Sequence, residues 1–165
     1  MSANMVGTLR IGHGYDVHAF APDRKLILGG VEIPHTQGLL GHSDADVLAH
    51  ALADAILGAV RGGDIGKLFP DDDPAYEGAD SLKLLARVVE VAREAGFELV
   101  DADCTVAAQA PKLAPYREEM RVRLAHACSV DTSQVGVKAT TTERLGFVGR
   151  EEGIAAWAVV LMQAI

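Results

Sequence analysis

The amino-acid sequence predicts an α+β fold, with a mixed sheet and three helices packed on one of its faces. Strand patterns and helix patterns occur in runs rather than in strict alternation, which is typical of this class. The last predicted strand, residues 153–163, is so apolar that we expect it to be buried on both faces. Three helices cover only one side of such a sheet, so oligomerisation should bury the other side. A chain of 165 residues is expected to form a single domain over residues 1–165.

The first predicted elements are a strand and a hairpin. Residues 9–18 have the pattern of a strand, and the stretch from residue 25 to residue 33 contains two short apolar runs on either side of Gly29 and Gly30. Glycine readily adopts positive φ, which a tight hairpin turn requires. We therefore expect a hairpin that turns at these two glycines.

Helix-capping residues, glycine and proline predict where the remaining helices begin and end. Ser43 is the predicted N-cap of the first helix, with Asp46 at its capping-box position. Ser81 is the predicted cap of a second helix that Gly96 ends, and Pro115 is predicted to begin the third. The predicted elements are helices at about 43–61, 81–95 and 115–128, and strands at 97–109, 134–141 and 153–163.

The composition argues against several classes of partner. The formal net charge of -8 and the pI of about 5.1 disfavour nucleic acid and anionic membranes, because no lysine and arginine cluster could neutralise a phosphate backbone. The apolar run from Ile154 to Met162 is shorter than the ~20 residues that span a bilayer. The N-terminus lacks a signal or transit pattern, so we expect a cytoplasmic protein with Cys104 and Cys128 as buried thiols.

Histidine is concentrated near the N-terminus, where five of the six histidines lie within the first fifty residues. Asp16 and His18 are two apart in a predicted strand, so their side chains share a face. His50 lies one helical turn from Asp46 and from Asp54, so a carboxylate could hold the ring nitrogen that a metal does not use. Two imidazoles and one carboxylate leave one position of Zn²⁺ open, as in catalytic zinc sites. The alternative is a set of isolated surface or core histidines, because Asp-x-His alone is a common chance match.

Three further segments carry polar groups without an evident structural role. Residues 62–74 look like a phosphate loop but lack the Walker spacing, and local chemistry favours a solvated acidic turn. Residues 108–112 lie where a predicted strand ends, and their backbone groups either bind a flat heterocycle or form an ordinary loop. Residues 138–150 contain three threonines, a glutamate and a terminal arginine, which suit a diphosphate and its divalent cation. Threonine runs are also common in ordinary strands.

In order and spacing, five motifs resemble those of one family, the 2-C-methyl-D-erythritol 2,4-cyclodiphosphate synthases of the non-mevalonate isoprenoid pathway. The resemblance extends from Arg10 to the C-terminus. Gly41, Glu151 and the extension before Arg10 depart from the family pattern at positions without assigned chemistry. The motifs are Asp16-x-His18, His42-Ser43-Asp44-Ala45-Asp46, Gly63 to Asp71, Ala108 to Lys112, and Lys138 to Phe147.

The resemblance implies a homotrimer whose active sites lie between subunits and bind a CDP-linked small molecule. It implies zinc held by Asp16, His18 and His50, and a second divalent cation, Mg²⁺ or Mn²⁺, held by Glu143. The catalytic residues that it implies are His42 and Thr141. Phe147 and Arg150 would line a cavity on the trimer axis. The full set of substrate-binding residues that it implies is Asp16, His18, His42, Ser43, Asp64, Gly66, Asp71, Ala108, Pro111, Lys112, Ala114, Thr140, Thr141, Glu143, Phe147 and Arg150.

The implied reaction converts 4-diphosphocytidyl-2-C-methyl-D-erythritol 2-phosphate to 2-C-methyl-D-erythritol 2,4-cyclodiphosphate and releases CMP, which is a metal-dependent lyase reaction. The attacking 2-phosphate is already an anion, so no strong base is needed, and the sequence has neither HExxH nor a serine or cysteine elbow. One alternative is a zinc-dependent phosphohydrolase in which Asp64 or His42 directs water. Another is a zinc-stabilised binding module without enzymatic activity.

Overall fold

The computed structural model of the chain describes residues 8–165. Its strands are β1 (Leu9–Ala21), β2 (Leu26–Leu28), β3 (Val31–Ile33), β4 (Gly38–Leu39), β5 (Phe97–Ala107), β6 (Val135–Thr140) and β7 (Gly153–Ala164). Its α-helices are α1 (Val47–Ala59), α2 (Ile65–Leu68), α3 (Ser81–Glu94), α4 (Arg117–Cys128) and α5 (Gly146–Gly149). Short 3-10 helices occupy Pro74–Tyr76, Ala114–Tyr116 and Thr132–Gln134.

The predicted α+β class and the mixed sheet are confirmed. Over residues 8–165, five strands form one sheet in the order β4-β1-β7-β5-β6. Strands β5 and β6 are parallel, and every other neighbouring pair in this sheet is antiparallel. Helix α1 contacts β1, β7 and β5, while α3 contacts β5 and α4 contacts β6. None of the helices within residues 8–165 combines the length and the apolar character that a membrane span requires.

The predicted hairpin between β2 and β3 is confirmed. Gly29 and Gly30 have φ of +55° and +75°, as the turn requires. Their N–H groups donate to the carboxylate of Asp46 at 2.8 and 2.7 Å. Asp46 is completely buried, and burial raises its pKa to about 6 although these N–H groups favour the charged form. One carboxylate thus joins the hairpin to the start of α1.

The helix starts differ from the predicted ones. Asp46, not Ser43, is the N-cap of α1, so the helix begins later than predicted. Asp80, not Ser81, caps α3. Both serine predictions are wrong because the two hydroxyl groups face the ring of His50 instead of their own helix. Strand β4 and the four-residue helices α2 and α5 were not predicted, since such short elements have no recognisable period.

The face of the sheet opposite the helices carries exposed apolar side chains, and we call it the outer face. Trp157 and Val159 of β7 are 37% and 46% exposed in the single chain, so the burial of this face, which was expected from oligomerisation, stays a prediction. Ile11 and Tyr15 of β1 are 71% and 44% exposed, and the ring of Tyr15 lies 5.3 Å from that of Trp157. This face is an apolar surface of several neighbouring side chains.

Candidate functional site

The side chains of Asp16, His18 and His50 converge on one point, as predicted. Oδ2 of Asp16 lies 2.9 Å from Nε2 of His18 and 3.1 Å from Nδ1 of His50. The two ring nitrogens are 3.2 Å apart. The alternation of side chains along β1 places Asp16 and His18 on the side of α1, which carries His50.

A close approach between β1 and α1 brings these residues together. A β-carbon on Gly12 would lie 1.8 Å from the carbonyl oxygen of Ala55, and one on Gly14 would lie 1.9 Å from that of Ala51. Since any side chain at either position would overlap the helix backbone, glycine is required at both. The backbone of β1 therefore touches α1, and the imidazole of His50 reaches the strand.

Both imidazole rings are held from outside the cluster. Nδ1 of His18 lies 2.8 Å from the carbonyl oxygen of Leu40, which can only accept, so Nδ1 carries a hydrogen and, in the neutral ring, Nε2 has the lone pair. Nε2 of His50 lies 2.8 Å from Oγ of Ser81 and 3.2 Å from Oγ of Ser43. Each ring thus turns its other nitrogen towards the cluster.

The expectation that a carboxylate directly holds the second nitrogen of His50 is wrong. Asp46 is engaged by the hairpin turn, and Asp54 accepts the N–H of Ile65 at 2.8 Å. These backbone N–H groups would otherwise lack a partner. The hydroxyl of Ser81, brought in at the start of α3, takes the position next to His50.

The charges at the cluster favour a cation between the three side chains. Burial raises the pKa of Asp16, but the imidazoles of His18 and His50 beside the carboxylate outweigh burial and lower the pKa to about 2. Burial lowers the pKa of His18, and the hydrogen bond to Asp16 reverses this, so the net pKa is raised. The three ligand atoms lie within 4.8 Å of one another. Two imidazoles and one carboxylate fit a divalent metal with an open coordination position.

A cavity of about 410 Å³ opens beside the cluster, and we call it the metal cavity. Its walls include four further residues of the predicted site, namely His42, Ser43, Gly66 and Asp71. Asp64, which was also predicted, is the N-cap of α2 and accepts the N–H of Lys67 at 2.9 Å.

The acidic segment 62–74 forms one wall of the metal cavity. Ile65 and Phe69 line the cavity, and Phe69 packs edge-on against Tyr76 at 5.2 Å between ring centroids. Nε2 of His42 lies 3.0 Å from the carbonyl oxygen of Asp73, so this contact connects the segment to another residue that lines the cavity. The segment thus has two sides: its apolar side chains pack against the core, while the carboxylates of Asp64, Asp71 and Asp72 are exposed, as expected for a solvated acidic turn.

A second cavity, of about 420 Å³, lies where β5 and β6 end, and we call it the strand-end cavity. The two polar segments predicted to follow these strands meet here, since the N–H of Ala108 donates to the carbonyl oxygen of Thr140 at 2.9 Å. Strands β1, β5 and β6 run in the same direction, so both cavities lie at the same edge of the sheet. The predicted residues that line the strand-end cavity are Ala108, Pro111, Lys112, Ala114, Thr140 and Thr141.

The last predicted site residues lie beyond the strand-end cavity. Glu143 is exposed, has a left-handed backbone with φ +53°, and donates its N–H to Oγ1 of Thr141 at 3.3 Å. Phe147 and Arg150 belong to α5 and its C-cap and line neither of the two cavities. Arg150 pairs with Glu152 at 3.0 Å. Their role at a trimer axis stays a prediction.

The remaining histidines lie away from the metal cavity. His13 is exposed on the outer face, and His35 and His126 are exposed elsewhere. The five histidines near the N-terminus therefore do not all lie at one site: only His18, His42 and His50 line the metal cavity. Cys104 and Cys128 are buried free thiols, as predicted.

Three polar residues that contact the metal cavity or the residues that line it were not predicted as site residues, and of these only Ser81 lines the cavity. Arg24 donates to the carbonyl oxygen of Ser43 at 2.8 Å. The hydroxyl of Ser81 donates to the carboxylate of Asp44, which is 37 positions away in the chain. The cluster of aspartates after His42 was a partial signal for Asp44. No local pattern connects Ser81 with this segment, because the contact depends on how α3 packs.

Comparisons with known proteins agree with one another. The model of the YgbB family matches residues 9–163. The 2-C-methyl-D-erythritol 2,4-cyclodiphosphate synthase of Syntrophotalea carbinolica is 62% identical over 154 residues, which are 93% of this chain and 94% of that protein. The synthase of the same name from Geobacillus kaustophilus is 63% identical over 154 residues, which are 93% of this chain and 98% of that protein.

Solved structures give the same relationship. The bifunctional IspDF from Campylobacter jejuni is 48% identical with a TM-score of 0.92, and the match covers 95% of this chain but only 42% of that one. IspF from Plasmodium falciparum, solved as a CDP complex, is 33% identical with a TM-score of 0.82, and the match covers 94% of this chain and 96% of that one.

Proposed function

Because the chain belongs to the YgbB family, we propose that it is an enzyme that converts 4-diphosphocytidyl-2-C-methyl-D-erythritol 2-phosphate to 2-C-methyl-D-erythritol 2,4-cyclodiphosphate and releases CMP. The relatives named as synthases of this cyclodiphosphate, and the CDP complex of one of them, support the substrate and the product. In the structure, the observation that carries the proposal is the convergence of Asp16, His18 and His50 at a cavity. We assign the reaction to the phosphorus-oxygen lyases.

The reaction requires orientation and charge neutralisation more than proton transfer. A bond forms between an oxygen of the 2-phosphate and the β-phosphorus, while the bond from the β-phosphorus to the bridging oxygen breaks and CMP leaves. The nucleophile is already an anion, so no activated serine or strong base is needed. What the protein must supply is an arrangement that brings the phosphate to the diphosphate and stabilises the developing charge.

Two metal ions belong to the proposal. Asp16, His18 and His50 would hold Zn²⁺, and the donor set with its open position supports this choice. Glu143 would hold Mg²⁺ or Mn²⁺ together with substrate oxygens, as one exposed carboxylate suggests. When bound, these cations supply positive charge that neutralises the diphosphate and the leaving phosphate.

His42 and Thr141 are the proposed catalytic residues of the chain. His42 lines the metal cavity, and Thr141 lines the strand-end cavity. The hydroxyl of Thr141 accepts the N–H of Glu143, so its own hydrogen is available to an oxygen of the transferring phosphoryl group. Ser43, Asp64, Gly66 and Asp71 would bind the methylerythritol part. The proposed binding residues for cytidine and its diphosphate are Ala108, Pro111, Lys112, Ala114 and Thr140.

We further propose a homotrimer with active sites between subunits. The outer face offers Ile11, Tyr15, Trp157 and Val159 for burial against other copies. The two cavities have no lining residue in common. In the proposed trimer, the metal cavity of one copy would be completed by the strand-end cavity of its neighbour. Phe147 and Arg150 would then face the axis. The expected location of the enzyme is the cytoplasm.

Phosphorus NMR with the CDP-methylerythritol 2-phosphate substrate, Zn²⁺ and Mg²⁺ tests the proposed reaction. The expected result is CMP together with a cyclic diphosphate whose two phosphorus signals are coupled to each other. A zinc-dependent phosphohydrolase would release CMP with a linear product, and the named relatives do not favour this alternative. Release of a linear product, or no turnover at all, would refute the proposed cyclisation.

A further inference from the structure

The ring of His50 is connected to two polar side chains that the proposed function does not use. Its Nε2 lies 2.8 Å from Oγ of Ser81, and the hydroxyl of Ser81 donates to Oδ1 of Asp44. Ser81 is 1% exposed and His50 is 8% exposed, so water does not compete freely for these groups. Asp44, Ser81 and His50 therefore form one continuous series of hydrogen bonds, which we call the Asp44 relay.

The direction of the hydrogen bonds in the Asp44 relay follows from the number of hydrogens available. A carboxylate accepts and does not donate, whereas a serine hydroxyl has a single hydrogen. Since Ser81 gives that hydrogen to Asp44, it must accept from Nε2 of His50. Nε2 of His50 then carries the ring hydrogen, and Nδ1 keeps a lone pair directed at Asp16 and His18.

Backbone contacts fix the carboxylate at the end of the relay. Oδ2 of Asp44 accepts the N–H of Ser81 at 3.2 Å, and Oδ1 accepts the N–H of Asp46 at 3.1 Å. The N–H of Asp44 donates to the carbonyl oxygen of Ala79 at 3.0 Å. The carboxylate thus spans the loop before α1 and the start of α3 and cannot turn away without breaking several bonds.

The relay opposes a competing arrangement of the ring. Without a cation, an imidazole with its hydrogen on Nδ1 would make a favourable bond to the carboxylate of Asp16, and its lone pair would then lie on Nε2, on the side away from Asp16 and His18. Because Ser81 requires a donor at Nε2, the relay favours the other tautomer. His18 reaches the same result with the carbonyl oxygen of Leu40.

We propose that Asp44 and Ser81 are positioning residues of the metal site, because together they keep the hydrogen of His50 on Nε2 and present Nδ1 to a divalent cation. The inference rests on the part of the proposed function in which Asp16, His18 and His50 bind the metal. It adds two residues that touch neither the metal nor the reacting atoms. Partners of this kind typically change metal affinity by about 10-fold to 100-fold.

Zinc affinity, measured by competition with a chromophoric chelator, tests the relay in Ser81→Ala and Asp44→Asn. Both variants should bind Zn²⁺ about 10-fold to 100-fold more weakly than the wild type. Asp80→Asn is the matched control: it alters the neighbouring residue at the start of α3, and asparagine caps a helix as well as aspartate. Its zinc affinity should equal that of the wild type.

The same titration separates a failure of the relay from a failure of the metal site. Wild-type affinity in both relay variants, or an equal loss in Asp80→Asn, would overturn the relay while zinc binding by the wild type leaves the metal site intact. A wild type that binds no zinc, or one whose affinity does not fall in His50→Ala, would overturn the metal site and the relay with it.

A measurement on the wild type does not depend on whether the variants fold. In the zinc-loaded protein labelled with nitrogen-15 at histidine, the signals should show a hydrogen on Nε2 of His50 and on Nδ1 of His18. Co-ordination should shift the opposite nitrogen of each ring. Zinc on Nε2 of His50, or a hydrogen on its Nδ1, would overturn the relay.

Discussion

The metal cavity and the strand-end cavity are built in different ways. At the metal cavity, buried side chains hold one another: His50 and Ser81 are 8% and 1% exposed and are joined by a 2.8 Å hydrogen bond. At the strand-end cavity, Thr140 and Thr141 are exposed, and the hydroxyl of Thr140 donates to the carbonyl oxygen of Thr141 at 2.9 Å. The first cavity is therefore ordered by the chain itself, whereas the second depends on its backbone and on what binds there.

This difference suggests a division of tasks between the two cavities. Electrostatic stabilisation is strongest where the groups are fixed before the substrate arrives, which suits the metal cavity. A nucleotide is a large ligand with many contacts, so exposed backbone and hydroxyl groups can bind it without a buried network. Four predictions test this comparison, in order of decreasing effect.

Removal of His50 should abolish zinc binding without unfolding the protein. His50→Ala leaves two ligands, and we expect zinc affinity to fall by more than about 100-fold, since the loss of even an outer partner costs 10-fold to 100-fold. Turnover should be lost with the metal. Elemental analysis and circular dichroism measure the two properties. His126→Ala, at an exposed histidine of α4, is the control and should retain zinc. Stoichiometric zinc in His50→Ala would contradict the assignment.

A charge on the outer face should abolish assembly and turnover but leave zinc binding unchanged. Ile11→Asp places a carboxylate where we expect another copy to pack, so light scattering should report a monomer. Because the metal cavity is complete in one chain, the monomer should retain zinc while turnover falls to background. Val122→Asp is the control, because Val122 of α4 is 52% exposed and does not lie on the sheet. A wild-type monomer at micromolar concentration, or an active Ile11→Asp monomer, would refute the proposed assembly.

Neutralisation of Glu143 should weaken the binding of the second cation and slow turnover, without weakening the binding of zinc. Glu143→Gln keeps the shape of the side chain but removes its charge, so we expect about 100-fold lower kcat and a higher Mg²⁺ requirement. Zinc content and assembly should not change. Glu151→Gln is a close control, since Glu151 is also exposed and has a similar left-handed φ of +59°, compared with +53° at Glu143. Wild-type kcat and Mg²⁺ dependence in Glu143→Gln would exclude this residue as a ligand.

The sequence predicted the parts of the fold that depend on local patterns. The spacing of Asp16 and His18 defined a shared face of β1, and the glycine pair defined the hairpin. The convergence of His50 on that face was predicted as a chemical possibility. The structure shows that Gly12 and Gly14 make this convergence possible, because they let the backbone of β1 touch α1. Their role could not be predicted from the sequence, since it depends on which helix packs against the strand.

The errors arose where one residue has two possible partners. Ser43 and Ser81 precede helical patterns and have the chemistry of N-caps, but the observed caps are Asp46, three positions after Ser43, and Asp80, immediately before Ser81. The freed hydroxyl groups turn to His50, a contact that tertiary packing decides. The apolar pattern of β7 identified a strand correctly but could not distinguish burial by helices from exposure on the outer face.

The smallest expected effect concerns the backbone next to the strand-end cavity. Glu143 and Arg144 are consecutive residues with left-handed backbone, with φ of +53° and +62°. Such conformations cost non-glycine residues about 1–2 kcal/mol each. A β-carbon on Gly149 would lie 2.1 Å from the carbonyl carbon of Arg144, so the backbone of Gly149 packs directly against this turn. Backbone packing thus sets the shape of the turn at Glu143 and Arg144, in agreement with a strand-end cavity that depends on its backbone.

Glycine should therefore have opposite effects on the free energy of unfolding at Arg144 and at Arg150. Arg144→Gly relieves strain, and after the extra flexibility of the unfolded chain is subtracted we expect the free energy of unfolding to rise by about 0.5 kcal/mol. Arg150 has an ordinary φ of -86°, so Arg150→Gly should lower the free energy of unfolding by a similar amount. Urea denaturation of the zinc-loaded proteins measures both changes. If both substitutions destabilise equally, the left-handed turn carries no strain, and side-chain contacts of Arg144 must hold the segment.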